Sequence, residues 1–135
     1  MTAMMQPHEA LEHLHTLRSH TGAMDTVGLP DDVILQFCAH DSKLSQAISE
    51  ATVRFTEVTN EFGADMLLHD EAHLIKVLQA DFVNFYAPAT VNPYIALSGR
   101  GPWIVTAYGA VLHDNGGYGM LGAGHGPQGV IDAMS

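Results

Sequence analysis

The feature that most constrains this chain is a change of pattern close to residue 88. Before it, apolar residues recur at three- and four-residue steps, and glycine is sparse; after it, ten of the 13 glycines fall between Gly99 and Gly129. The first spacing puts apolar side chains on one face of a helix. The second composition favours turns and close backbone approaches. Pro88 and Pro93 stand at the junction, where their missing N–H and fixed φ stop helical propagation.

Four helices are predicted in the first part. Ala10, Leu11, Leu14 and Leu17 form the stripe of the first, which Pro7 opens and Gly22 closes. The second starts at Pro30 with Asp31 and Asp32 in its first turn, where the helix dipole favours them, and would bury Val33, Ile34 and Phe37. The third is capped by Asp41 or Ser42, carries Leu44, Ala47, Ile48, Ala51, Phe55, Val58 and Phe62, and leaves through Gly63. The fourth is expected from about Asp65 to Phe85, with Leu74, Ile75, Leu78, Phe82 and Phe85 as its stripe.

In the second part, Trp103–Thr106 and Ala110–His113 read as two short strands joined by a turn at Ala107-Tyr108-Gly109. A glycine-rich loop from Asn115 to Gly126 follows, and Pro127 suits the first turn of a last helix, Gln128 to Met134. A lone two-stranded hairpin is marginal in water, so this part is expected to need packing partners. The expected fold class is mainly α with a small β-hairpin: a helical leader over residues 1–88, then a hairpin, glycine-rich loop and short helix over residues 89–135.

Composition excludes some functions. With 47% hydrophobic and 15% charged residues, the chain can build a core. Its net charge of −10, from 5 Lys+Arg against 15 Asp+Glu, disfavours nucleic acids and anionic membrane surfaces, which require clustered cations. Cys38 is the only cysteine, so no intrachain disulfide can form. Met1 to Gln6 holds no basic residue and opens no signal-peptide pattern, and no stretch approaches the roughly 18 apolar residues of a membrane span. A soluble, cytoplasmic protein is expected.

Several residues invite chemistry. Gly117-Tyr118-Gly119-Met120-Leu121-Gly122 matches G-x-G-x-x-G, but a dinucleotide site needs a helix opening at the third glycine and an acid about 20 residues on. The helix waits until Pro127, so a tightly turning loop is the better reading. His69 and His73 have metal-ligand spacing on a helix. The H-e-x-x-H pattern needs glutamate directly after the first histidine, whereas Asp70 stands there and Glu71 is displaced by one, so a solvated polar face is favoured. His8, His13 and His15, among Glu9 and Glu12, read as a surface helix in which His13 and Glu9 can pair. His113-Asp114 invites an acid–base reading, but no serine or cysteine nucleophile is placed near it, and a strand end followed by a turn is favoured. Cys38 reads as a small buried hydrophobe beside Phe37.

The run from Gly101-Pro102-Trp103 through Gly109 to His113-Asp114, then Gly116-Gly117-Tyr118-Gly119 and Gly124-His125-Gly126-Pro127, resembles the N-terminal region of class III (omega-type) pyridoxal-phosphate aminotransferases, the group of the ornithine, lysine and 4-aminobutyrate enzymes. Their hairpin, glycine loop, Gly-His pair, proline and helix follow in this order. The resemblance covers about residues 92–135; Pro127 arrives one residue early, and Thr106-Ala107-Tyr108 stands where the family's turn usually holds an aspartate.

That resemblance implies a fold-type I enzyme acting as a homodimer, transferring an amino group from an amino acid or omega-amine to a 2-oxo acid. It implies that Gly117 and Tyr118 touch substrate, and that the lysine and aspartate that hold pyridoxal phosphate lie beyond residue 135. Lys43 and Lys76, the only lysines, do not match the family's lysine motif. The expected function is the N-terminal segment of such an enzyme, inactive alone and with no catalytic, cofactor or metal residue of its own. The alternatives are a free-standing helical oligomerisation domain and, behind it, a small enzyme built on His113, Asp114 or the His69/His73 pair.

Overall fold

The computed structural model describes residues 5–81, 87, 89–90, 93–115 and 122–135. Its elements run α1 (Pro7–Ser19), α2 (Asp31–His40), α3 (Ser42–Phe62), a 3-10 helix (Ala64–Leu68), α4 (Glu71–Gln79), β1 (Ala96–Arg100), β2 (Trp103–Thr106), β3 (Val111–His113) and α5 (Gln128–Met134). The protein is mainly helical with a small antiparallel sheet ordered β1-β2-β3.

The first three helices follow the apolar stripes. Ala10, Leu14 and Leu17 of α1 are buried, as are Ile34 and Cys38 of α2 and Leu44, Ala47, Ile48 and Ala51 of α3. Two expected core residues differ. Phe37 keeps 43% of its surface exposed, although its ring meets Trp103 at 5.0 Å and 60°, and Phe62 keeps 57%. Asp41 caps α3 as expected: Oδ1 accepts from the Lys43 N–H at 2.9 Å. Its other oxygen accepts from the Trp103 indole N–H at 2.8 Å, tying the helix start to β2.

The fourth helix is shorter than predicted. It begins at Glu71, and a 3-10 turn followed by extended His69 replaces its first part. The cause is a competing set of hydrogen bonds. In a continuous helix the Glu71 N–H would donate to the Leu67 carbonyl. Here Gly22 donates to Leu67 O at 2.8 Å, and Glu71 donates to Ala23 O at 2.9 Å. The incoming 22–26 segment takes both partners, and Gly22 is needed there because a Cβ would lie 2.5 Å from the Leu68 carbonyl oxygen. Gly22 therefore seats this crossing and does not close α1, which ends at Ser19. Phe82 and Phe85 lie outside the described residues.

The sheet has one strand more than expected. β1 pairs with β2, so β2 is central and all four of its residues are buried. The turn at Ala107-Tyr108-Gly109 joins β2 to β3 as expected, with Gly109 at φ 79° and its N–H on Thr106 O at 3.0 Å. α3 packs across β1 and β2. One cluster joins Ala10, Leu14, Ile34, Leu44 and Ile48 to Trp103, Val105 and Val111, and a smaller one joins Leu67 and Leu74 to Ala107 and Tyr108. The helical leader and the sheet are thus two sides of shared apolar layers, and the hairpin finds its packing partner in α3.

Candidate functional site

A corner of backbone at Gly101-Pro102, between β1 and β2, organises a polar depression. Two segments dock on it. Asp114, just past β3, donates its N–H to Pro102 O at 2.7 Å, and Gly101 and His125 exchange backbone hydrogen bonds at 2.9 and 2.8 Å. The exchange demands glycine on both sides. Gly101 and Gly124 have φ of 56° and 73°, and a Cβ on Gly124 would sit 2.8 Å from Gly101 Cα. Part of the glycine content of the second half is therefore spent on this backbone crossing.

Docking both segments on one corner brings Asp114 and His125 together, with Oδ2 and Nε2 2.9 Å apart and both side chains about a quarter exposed, 27% and 26%. The carboxylate orients the imidazole. His113 ends β3 and Asp114 follows it, the strand end and turn that the sequence favours, and the two do not form an acid–base pair. Instead the His113 ring meets Trp103 edge-on, at 4.8 Å and 82°. Strand alternation explains the difference: neighbouring residues at a strand end point to opposite sides.

Lys43 joins the same site from α3. Its stem crosses Gly101, with Cδ 2.8 Å and Nζ 3.6 Å from where a Gly101 Cβ would stand. Lys43, His113, Asp114 and Gly124 line a depression of about 420 Å³. Lys43, Arg100, His125 and Gln128 line a smaller one of about 190 Å³ on the other side of Gly101. Arg100 is held by Glu50, with Nη2 to Oε1 at 2.8 Å and Nε to both oxygens at 3.0 Å, and its Nη1 donates to Gly126 O at 2.8 Å. Hydrogen bonding to Glu50 first, and its charge in addition, raise the already high Arg100 pKa.

Gly117 and Tyr118, the expected substrate-touching residues, lie outside the described residues. Asn115 and Gly122, the nearest described residues on either side of them, line the larger depression. His69 and His73 do not share a helix face, since His69 precedes α4, although their rings approach to 4.9 Å. Among the described residues no group of three histidine, cysteine or acidic side chains is placed to hold a metal ion. Nor do His13 and Glu9 pair: Glu9 accepts from the Gln6 N–H at 3.3 Å, and the His13 Nδ1 is buried without a partner. His15 and Arg18 instead share Asp31, each at 2.7 Å, and the Arg18 hydrogen bond leads in holding that carboxyl below its ordinary range.

Two groups are displaced by burial. Cys38 is buried as expected, and desolvation raises its thiol pKa. Burial, reinforced by the charges of Glu71 and Asp70, pushes the Tyr108 phenol up to about 12. Its hydroxyl donates to His69 O at 2.5 Å.

Pyridoxal phosphate requires an amine sheltered from water, donors for its phosphate and a carboxylate for its ring nitrogen. Lys43 and Lys76 are both exposed, and Asp114, the carboxylate in the larger depression, is committed to His125. The described residues do not fit that cofactor as a set. No helix among the described residues is long and apolar enough to cross a membrane. No family model, curated protein or solved structure matches this chain.

Proposed function

We propose that residues 92–135 are the N-terminal, substrate-facing segment of a pyridoxal-phosphate-dependent class III aminotransferase, which moves an amino group from an amino acid or omega-amine to a 2-oxo acid. The observation that carries this reading is the contact between Asp114 and His125 at 2.9 Å. They belong to two separate parts of the resembling pattern, the aspartate that ends the hairpin run and the Gly-His pair, and they meet over the same backbone corner. Asn115 and Gly122, which flank the residues that would face substrate, both line the depression at this corner.

On this reading the chain's own residues shape and close one wall of a pocket. Asp114 and His125 hold the two ends of the glycine loop in register. The bound cofactor would supply the electron sink for amino transfer, and the lysine and aspartate that hold it would belong to sequence beyond residue 135. The active unit would be a homodimer.

The test compares this chain with a version extended in frame through the downstream coding sequence. On addition of pyridoxal phosphate, the extended protein is expected to develop the visible absorbance of an internal Schiff base and to transaminate, while this chain does neither. A downstream sequence that encodes no such domain, or an extended protein without that absorbance, would sink the proposal.

A second reading, a helical oligomerisation domain, draws on exposed apolar residues: Val53 at 58%, Phe62 at 57% and Val77 at 54%. Sedimentation of this chain as a monomer across the micromolar range would remove it.

A further inference from the structure

We infer that the smaller depression beside Gly101 is a binding site for an anionic group, a carboxylate or a phosphate, with the Lys43 ammonium as its charge partner. The site needs only this chain and stands apart from the aminotransferase reading.

Charge accounting singles out Lys43. The chain has 5 basic residues against 15 acidic ones. Arg18 is paired with Asp31, Arg54 with Glu57 and Arg100 with Glu50. Among the described residues neither lysine is ion-paired. Lys76 lies on the exposed side of α4, away from both depressions, whereas Lys43 stands on the wall between them.

The lining decides which depression takes the anion. The larger one contains Asp114, whose carboxylate repels a second negative charge. The smaller one is lined by Lys43, Gln46, Arg100, His125 and Gln128 among others, and by no carboxylate. The nearest carboxylates among the described residues, of Glu50, Asp114 and Asp132, stand behind this lining, each bonded to one of its members, and Lys43 is the lining cation without such a partner. Its other donors are engaged: Gln46 Nε2 with Glu50, Gln128 Nε2 with Asp132, and Arg100 with Glu50 and Gly126. They form a fixed wall, and the Lys43 ammonium is the uncommitted charge facing it.

The exposed Lys43 side chain runs over the corner. The Lys43 stem lies where any side chain on residue 101 would have to be, so the absence of a Cβ at Gly101 lets the stem cross the corner. The depression, about 190 Å³, accommodates a carboxylate or phosphate group.

The experiment is an amide NMR titration of this chain with inorganic phosphate and, separately, with succinate, at constant ionic strength maintained by chloride. Saturable shifts are expected at Lys43, Gly101, Ala123 and Gly126. Lys43→Gln should weaken the response by roughly fivefold or more, Lys43→Arg should preserve it, and Lys76→Gln should leave it unchanged. Lys43 is exposed, so these variants retain the fold, which the unperturbed amide spectrum checks. Saturation by phosphate alone supports a phosphoryl ligand, by succinate alone a carboxylate ligand, and by both a general anion site. Shifts that do not saturate, or a Lys43→Gln protein that titrates like the parent, would overturn the assignment.

Discussion

Glu71 is the residue on which the irregular part of the fold turns. It is fully buried, and its carboxylate accepts from the Asp25 and Thr26 N–H groups, both at 2.8 Å, and from the Thr26 hydroxyl at 2.9 Å. Three donors around one carboxylate satisfy a charge that burial would otherwise make costly. They also anchor the 22–26 segment that interrupts the helix before Glu71. Glu71→Gln has nearly the same shape but replaces an acceptor oxygen with an NH2 group that faces donors. We expect a loss of about 2 kcal/mol, since a hydrogen bond to a charged group contributes roughly 1.5–3 kcal/mol. Urea denaturation checks this: the midpoint should fall with an unchanged slope. An unchanged midpoint would mean that Glu71 is not the anchor.

At the scale of elements, the connection between β1 and the segment leading to α5 depends on backbone contact more than on side chains. Gly124 approaches Gly101 so closely that a Cβ has no room, whereas Gly129, inside α5, meets nothing within 4 Å. This gives a matched pair of substitutions. Gly124→Ala combines a left-handed φ of 73° with a backbone clash, and should cost about 1–3 kcal/mol. It should also expose the Gly101 and His125 amides to hydrogen exchange. Gly129→Ala replaces glycine by the best helix former in open space, and should be neutral or stabilising by about 0.5–1 kcal/mol. If both variants behave alike, the crossing does not hold the segment. The same contact explains part of what a sequence reader can and cannot see here. Helices α1–α3 and the 103–113 hairpin follow from local periodicity and turn chemistry. β1 does not, because Ala-Leu-Ser-Gly-Arg is half-exposed and shows no clean alternation. The break before α4 is equally invisible, since residues nearly fifty positions upstream cause it.

For the molecule as a whole, the pattern change near residue 88 marks two compositions and one set of apolar layers. Val105 and Val111 pack with Leu44 and Ile48, and Trp103 reaches Asp41 through its indole N–H. The site shows the same logic. Lys43 and Asp114 come from opposite sides of that change and line one depression. Their meeting was not legible because no local signal records which helix will cover a sheet. The pairing of His125 with Asp114 carries no local signal either, because eleven residues separate them. Shared layers have a thermodynamic consequence, because removing either side uncovers the other. Trp103 is the only tryptophan, so its fluorescence reports on the sheet and its contact with α2 and α3, while far-ultraviolet circular dichroism reports mainly on the helices. If the layers unfold as one unit, the two signals should trace the same urea transition. Residues 1–88 expressed alone should then lack a cooperative transition, since the face of α3 bearing Ala47 and Ile48 would lie open to water. Helical signal that persists after the tryptophan transition, or a fragment that unfolds as sharply as the full chain, would instead establish the leader as an independent folding unit.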